Sequence, residues 1–276
     1  MACSTTTRTT TEGRVRREER RQGSLVVAGS GIQLLRQLTP EARDAVEGAD
    51  RVFFLASDPA TSEWVRSVSP GARSLGELYR PGPRRREIYA EMVEAILDAV
   101  RGGASVCALF YGHPGVYVAP SHEAVARARA EGYSARMLPG ISAEDCLFAD
   151  LGVDPANHGW QSFEATDFLL RGYEPDPAAA LVLWQVDALG KLDASAGQEP
   201  GSLAVLAERL GELYPPEHEL VFYLASTYPI ADALVERLAL AQLAGLAEAP
   251  APTLYVPPAR RRKIDPERAR RLGLRS

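Results

Sequence analysis

Tyr79, Arg84, Arg85, Arg86 and Tyr89 fall within one short stretch, ELYRPGPRRREIY, running from Glu77 to Tyr89 around a Pro-Gly-Pro turn. On the helix that follows the turn, Arg85 and Tyr89 are spaced i, i+4 and share one face. A guanidinium beside a phenol lowers the phenol's pKa and can stabilise a developing oxyanion. The set therefore suits proton abstraction next to an oxygen that gains charge. The same residues also fit a solvated basic turn with Tyr89 packed on Met92, and periodicity alone favours that second reading.

Two loops offer a place for a ligand. FYGHPGV begins at Phe110, and MLPGISAEDCLFAD runs from Met137 to Asp150. Each follows a short apolar run, is punctuated by Gly and Pro, and leads into a helix-like segment, as where an α/β sheet presents backbone at its strand ends. Together they supply bare backbone, one hydroxyl, one imidazole and one phenol, with no cluster of charge. They suit a polar cofactor held by shape and backbone groups. His113 is either a general base or, more commonly for a lone His in such a loop, a structural hydrogen-bonding residue. Gly29-Ser30-Gly31 is half of a dinucleotide fingerprint, with Leu34 where the third Gly belongs. The chain has no phosphate-binding GxxxxGK[ST] loop, no HExxH and no GxSxG elbow.

The elements that must position these groups alternate as strand, loop and helix. Runs at 24–28, 51–55, 105–110 and 135–138 are short, continuously apolar and β-rich, as in strands covered on both faces. Ile88, Met92, Ile96 and Ala99 recur at helical spacing. Ser121 reads as the N-cap of an Ala-rich helix over 122–131 that stops at Gly132. Ser142 with Asp145 reads as a capping box. A second half begins near 152–157, with strands expected at 161–164, 181–186, 220–225 and 253–256 and a helix carrying Leu203, Leu206, Leu210 and Leu213. Its mixture of aromatic and β-branched residues predicts a partly antiparallel sheet. The expected architecture is α/β: two lobes, 24–152 and 153–258, with a cleft between them where a small ligand sits, flanked by a disordered basic leader over 1–23 and a basic tail over 259–276.

Composition is ordinary for a globular chain, with 276 residues, 46% hydrophobic and 24% charged. The net charge of −5 hides an asymmetry: residues 1–23 carry +3, residues 257–276 carry +6, and the part between carries −14. An acidic middle gives a phosphate backbone nowhere to lie, so no nucleic-acid partner is expected and the basic ends read as a leader and a solvated helix. Cys3, Cys107 and Cys146 share no CxxC spacing, so neither a disulfide framework nor a metal site is indicated. No apolar run approaches the ~20 residues needed to span a bilayer, and the start lacks a signal-peptide core. A cytoplasmic, non-membrane protein is expected.

The block from Phe110 to Asn157 closely resembles the methyltransferase domain of the borosin peptide α-N-methyltransferases, relatives of the tetrapyrrole methylases. GSGI at 29–32 with QLT at 37–39, DPAT at 58–61, VLWQV at 182–186 and TLYVPP at 253–258 extend the resemblance to nearly all of 24–258. The tetrapyrrole branch carries GxGxGD at the first glycine loop. This chain lacks the Gly-Asp pair, which favours the peptide-modifying branch. The resemblance implies a tetrapyrrole-methylase-like fold and S-adenosylmethionine (SAM) between the lobes, released as S-adenosylhomocysteine. It implies that Tyr111, His113 and Val116 surround the methionine moiety, that Ser142 and Ala143 follow at the next loop, and that Gln185, Tyr223, Pro252 and Thr253 surround the adenosine. The family's catalytic Tyr/Arg/Tyr set falls on Tyr79, Arg85 and Tyr89. The turn is shorter here and holds two prolines, so Arg84 and Arg86 stay open as alternatives to Arg85.

That set agrees with the chemistry of amide methylation. An amide nitrogen is a weak nucleophile, so a phenolate of Tyr89 or Tyr79 would take its proton while Arg85 and Tyr111 steady the amide oxygen. In the fungal relatives the chain continues into a clasp and a hydrophobic core peptide. This one ends at Ser276 after an Arg-rich tail, which leads to the expectation of a split enzyme acting on a separate precursor. The resemblance further implies a homodimer, or a heterotetramer with precursor. Two other readings stand beside this one: a methylase of a small tetrapyrrole-type molecule, and a catalytically silent SAM- or precursor-binding partner.

Overall fold

The structure is a computed structural model and describes residues 22–33, 35–193 and 197–274. The leader expected over 1–23, apart from its last two residues, lies outside the described residues, as do Cys3 and Leu34.

The apolar runs of the first half become the strands β1 (Ser24–Gly29), β2 (Arg51–Leu55), β3 (Arg73–Ser74), β4 (Ser105–Phe110) and β5 (Ser134–Met137). Their order is β3-β2-β4-β1-β5, and every ladder is parallel. Both faces are covered, which explains the unbroken hydrophobicity. Leu25, Val27, Phe53, Val106, Ala108 and Phe110 point to one core, and Ala28, Val52, Phe54, Cys107 and Leu109, set off by the two-residue period of a strand, point to the other. The helices α1 (Pro40–Glu47) and α2 (Pro59–Val68) cover the second face. The helices α3 (Arg85–Arg101) and α4 (Ala119–Ala130) cover the first, with Ile88, Met92, Val93, Ile96, Leu97 and Val100 of α3 buried. Ala99, expected in that stripe, packs only at its margin.

Two boundaries that bear on the site differ from the sequence reading: the strand expected at 181–186 ends at Trp184, where Gln185 turns left-handed, and the start of α4 lies earlier than expected. The α4 helix begins at Ala119 with Val118 as N-cap and no side-chain cap. Pro120 occupies the first turn, where a missing N–H costs nothing. Ser121 is therefore inside the helix, and its buried hydroxyl donates to the Pro114 and Val118 carbonyls. The capping box at Ser142 and Asp145 forms as expected and opens α5 (Ala143–Leu151), which ends on the left-handed Gly152.

The second lobe holds β6 (Trp160–Glu164), α6 (Ala165–Arg171), β7 (Ala180–Trp184), α7 (Ser202–Gly211), β8 (Glu219–Leu224), β9 (Leu234–Ala239), α8 (Leu240–Leu243) and β10 (Thr253–Val256). Its sheet is ordered β6-β7-β10-β8-β9, with β6 parallel to β7 and the other pairs antiparallel, a mixed sheet. Leu203, Leu206 and Leu210 of α7 pack on one face; Leu213 lies past the helix end at the edge of that core. The other face, with Val182, Trp184, Val221 and Tyr255, packs on Leu147 of α5 and on Ile32. That cluster joins the two lobes. Beyond β10, the short α9 (Pro266–Arg271) is exposed except at Ala269, as a solvated basic helix would be.

Candidate active site

The parallel strands of the first lobe end where two loops are zipped together. Gly112 N–H donates to the Gly31 carbonyl at 2.9 Å, and Gly31 N–H returns a bond to the Gly112 carbonyl at 3.2 Å. The approach is close enough that a Cβ on Gly29 would sit 2.3 Å from the Gly112 oxygen, and one on Gly140 2.7 Å from it. Three glycine-bearing loops thus lie against one another, and a cavity of about 230 Å³ opens beside them.

The cavity gathers most of the residues expected around a cofactor. Tyr111, His113 and Val116 come from the loop after β4, Ser142 and Ala143 from the start of α5, and Gln185, Pro252 and Thr253 from the second lobe. Tyr223 is the exception. On β8 it shares the face of Val221, inside the core between the sheet and α5, and its hydroxyl donates to Asp150 Oδ2 at 2.6 Å. It is not among the lining residues. His113 Nδ1 accepts from the Gly115 N–H at 2.9 Å, which fixes the loop and gives the ring the structural role of the two weighed for it.

A second space, a groove of about 640 Å³, lies on the other side of the same wall. Arg84, Arg85, Arg86 and Tyr89 line it, facing Glu164, Asp167 and Lys191 of the second lobe. Tyr117, Val118 and Gln185 line both the groove and the cavity.

The comparisons with known proteins bear on this arrangement. The profile of the family described as Tetrapyrrole (Corrin/Porphyrin) Methylases matches residues 24–244. The chain belongs to the tetrapyrrole methylases. It is 41% identical over 248 residues to the methyltransferase/ribosomally synthesized cyclic peptide dendrothelin A precursor of Dendrothele bispora, covering 88% of this chain and 60% of that protein. It is 40% identical over 257 residues to the corresponding omphalotin A precursor of Omphalotus olearius, covering 91% and 62%. The chain thus spans about three-fifths of the length of these two relatives. Among solved structures, uroporphyrin-III-C-methyltransferase from Thermus thermophilus superposes with a TM-score of 0.59 at 24% identity, over 86% of this chain and 93% of that one. A cobalt precorrin-4 methyltransferase does so with 0.59 at 17% identity, over 85% and 94%. These two likenesses establish the fold.

In this tetrapyrrole methylase the phenols and the arginine meet at the shared wall. Tyr79 lies near Tyr89, Tyr111 and Arg85, and Tyr111 near Tyr89, Asp187 and Arg85. The expectation of acidified phenols is overturned for two of them. Burial first, then the Tyr89 phenol, pushes Tyr79 well above the ordinary phenol value, and Arg85 opposes this only weakly. Burial also raises Tyr111, with Tyr89 and Asp187 adding to the effect against Arg85. Desolvation of an anion outweighs one neighbouring guanidinium. Of the three arginines, Arg85 is the one tied into this group: its Nη1 donates to Gln185 Oε1 at 3.1 Å. Arg84 serves as N-cap of α3, its N–H held by Glu87 Oε2 at 3.0 Å.

Several lining residues escaped the sequence reading: Ser57, Tyr117, Glu144, Trp184, Leu224 and Thr227 for the cavity, and Asp187 beside Arg85. Tyr117 carried a signal, an aromatic residue straight after the Gly-Pro loop. It adopts a positive φ of 54° and places its hydroxyl 3.0 Å from Ser162 Oγ. The others sit at strand and helix ends that only the topology brings together. Among the described residues the lining contains one carboxylate, Glu144, held by Trp160 Nε1 at 2.6 Å, and neither Lys nor Arg. Apolar walls with a carboxylate and no fixed cation fit a ligand that carries a sulfonium.

Proposed function

We propose that this chain is a SAM-dependent methyltransferase that methylates backbone amide nitrogens of a ribosomally made precursor peptide. The observation that carries the reading is the convergence of Tyr79, Arg85, Tyr89 and Tyr111 on the wall between a cavity that suits SAM and an open groove. The relatives named above, methyltransferases joined to cyclic peptide precursors, support the substrate class.

Tyr111, Val116, Ser142, Ala143, Pro252 and Thr253 would hold SAM, with His113 fixing the loop and Gln185 standing in the wall shared with the groove. When bound, SAM supplies a methyl group already activated on sulfur. The remaining difficulty belongs to the amide, whose nitrogen lone pair is delocalised into its carbonyl. Tyr89, lining the groove, accepts the N–H proton. Tyr79 and Tyr111, kept protonated by desolvation in the cluster, act as donors: Tyr79 supports the negative charge of the Tyr89 phenolate before it takes the proton, and Tyr111 with Arg85 steadies the negative charge that then develops on the amide oxygen. Holding the peptide nitrogen in line can supply on the order of 7–11 kcal/mol of the rate enhancement.

The proposal includes a precursor supplied as a separate chain and an enzyme that works as a homodimer. None of the described residues 257–274 lines the cavity or the groove, and the tail is tied instead to Asp176 through Arg262, which leaves the groove open to a peptide. The test is incubation with SAM and an apolar peptide, followed by fragmentation mass spectrometry. Methyl increments on backbone nitrogens are the expected result. A protein that binds SAM and peptide yet adds no methyl group to any amide would refute the reading, and transfer to a tetrapyrrole alone would replace it.

A further inference from the structure

Gln185 lines the cavity and the groove at once, and its backbone shows that its placement matters. It sits just past β7 with φ 61° and ψ 35°, a left-handed conformation that a side chain bearing a Cβ adopts at an energetic cost. Neighbours hold it there. Trp184 before it pairs with Thr253 in the sheet, Val186 N–H after it donates to the Pro252 carbonyl at 2.9 Å, and its own carbonyl accepts from Ala188 N–H at 3.0 Å. Pro252 and Thr253 are themselves cavity walls. The conformation therefore depends on the same residues that shape the cofactor side.

The strained turn delivers the Gln185 amide to Arg85, 100 residues away in the other lobe. The lobes are tied at the same point by backbone: Arg85 N–H donates to the Leu192 carbonyl at 3.0 Å, and Arg84 forms an isolated bridge with Asp193. Asp187, next but one along the turn, lies exposed near Arg85. A long arginine with several rotamers is thus fixed at both ends, its backbone by Leu192 and its fork by Gln185.

Resting on the proposed amide-methylation reading, we propose that Gln185 is a positioning residue that holds the Arg85 guanidinium for the reaction and couples its orientation to the shape of the cofactor cavity. A residue that merely lines the cavity would act on cofactor affinity. A positioning residue acts on turnover.

The experiment uses the full chain, SAM and a peptide the wild type methylates. Gln185→Leu removes the acceptor while keeping bulk; kcat at saturating SAM is expected to fall roughly 10- to 100-fold, the scale of a lost hydrogen bond to a charged group. The SAM dissociation constant, measured by calorimetry, is expected to stay within about threefold, well short of the change expected for a lost direct ligand. Gln185→Glu, which restores an acceptor oxygen, should recover most of kcat, and Gln185→Asn, too short to reach, should behave like the leucine variant even if that variant folds poorly. A second readout needs no turnover: nitrogen NMR of the Arg85 guanidinium, assigned with Arg85→Lys, should show hindered rotation in the wild type and free rotation in Gln185→Leu. Weakened SAM binding with kcat intact, or an Arg85 signal indifferent to the substitution, would overturn the assignment. If the wild type methylates no peptide but the Arg85 signal still loosens in Gln185→Leu, the positioning stands and the peptide reading falls.

Discussion

Tyr89 is the phenol of the cluster that lines the groove, while desolvation against its neighbours raises Tyr79 and Tyr111 beside it. If Tyr89 accepts the amide proton, Tyr89→Phe should lower kcat by roughly 10²–10⁴, the range for loss of a general base, with SAM binding unchanged by calorimetry. Tyr79→Phe removes only a supporting donor and should cost about tenfold, one hydrogen bond's share. Equal rates for wild type and Tyr89→Phe would assign the proton elsewhere. The Arg85 and Tyr89 pairing was legible because i, i+4 spacing is a local property of the chain. The direction of the phenol shifts was not, because a sequence displays the guanidinium next door and hides the desolvation that outweighs it. The core position of the Tyr223 side chain was hidden for a related reason: alternation along β8 assigns it to the face of Val221, and only the packing of α5 shows that this face is a core.

At the scale of elements, the site rests on three loops in backbone contact. A methyl group at Gly140 would press on the Gly112 carbonyl, which cannot retreat without parting the paired Gly31. Gly140→Ala should therefore destabilise the fold by about 1–3 kcal/mol, as overpacking does, and weaken SAM binding in the same preparation. Gly71→Ala, with nothing within 4 Å of the added carbon, should leave both melting and calorimetry unchanged. Strands buried on both faces announced themselves as apolar runs, and 51–55, 105–110 and 253–256 match β2, β4 and β10 residue for residue. β9 went unread because LVERLA, exposed along Leu234 to Arg237 at the sheet edge, shows neither a buried run nor strict alternation. The start of α4 was read three residues late, at the capping-type residue Ser121; Pro120 in the first turn and the Pro114 carbonyl, which takes the Ser121 hydroxyl, decide it instead.

Over the whole molecule, each lobe has its own core and the cluster around Leu147, Trp184 and Tyr255 joins them, with tyrosines buried in the second lobe and at the seam. Burial is the leading cause that raises Tyr214, Tyr223 and Tyr255, and it pushes Tyr214 up to about 12. A phenol whose folded pKa exceeds its unfolded value of about 10 contributes no pH dependence below that value, and stability is lost as pH rises beyond it, because the unfolded chain ionises first. Each such tyrosine steepens the decline by about 1.4 kcal/mol per pH unit until its folded pKa is reached. The melting temperature, followed by circular dichroism, should then begin to fall near pH 9, where the unfolded chain ionises Cys107 whose buried thiol is pushed up to about 12, and fall more steeply above about pH 10 as the tyrosines add to it. Tyr214 isolates one share of that slope. Its ring is buried in the second core, and its hydroxyl has no hydrogen-bond partner among the described residues. Removing an unsatisfied buried hydroxyl gains stability, so Tyr214→Phe should be as stable as the wild type or about 1 kcal/mol more so at neutral pH. Its advantage should widen between about pH 10 and 12, where the wild type alone bears the cost of keeping that phenol protonated. Parallel curves for the two proteins across that interval would show that Tyr214 ionises with the native state intact.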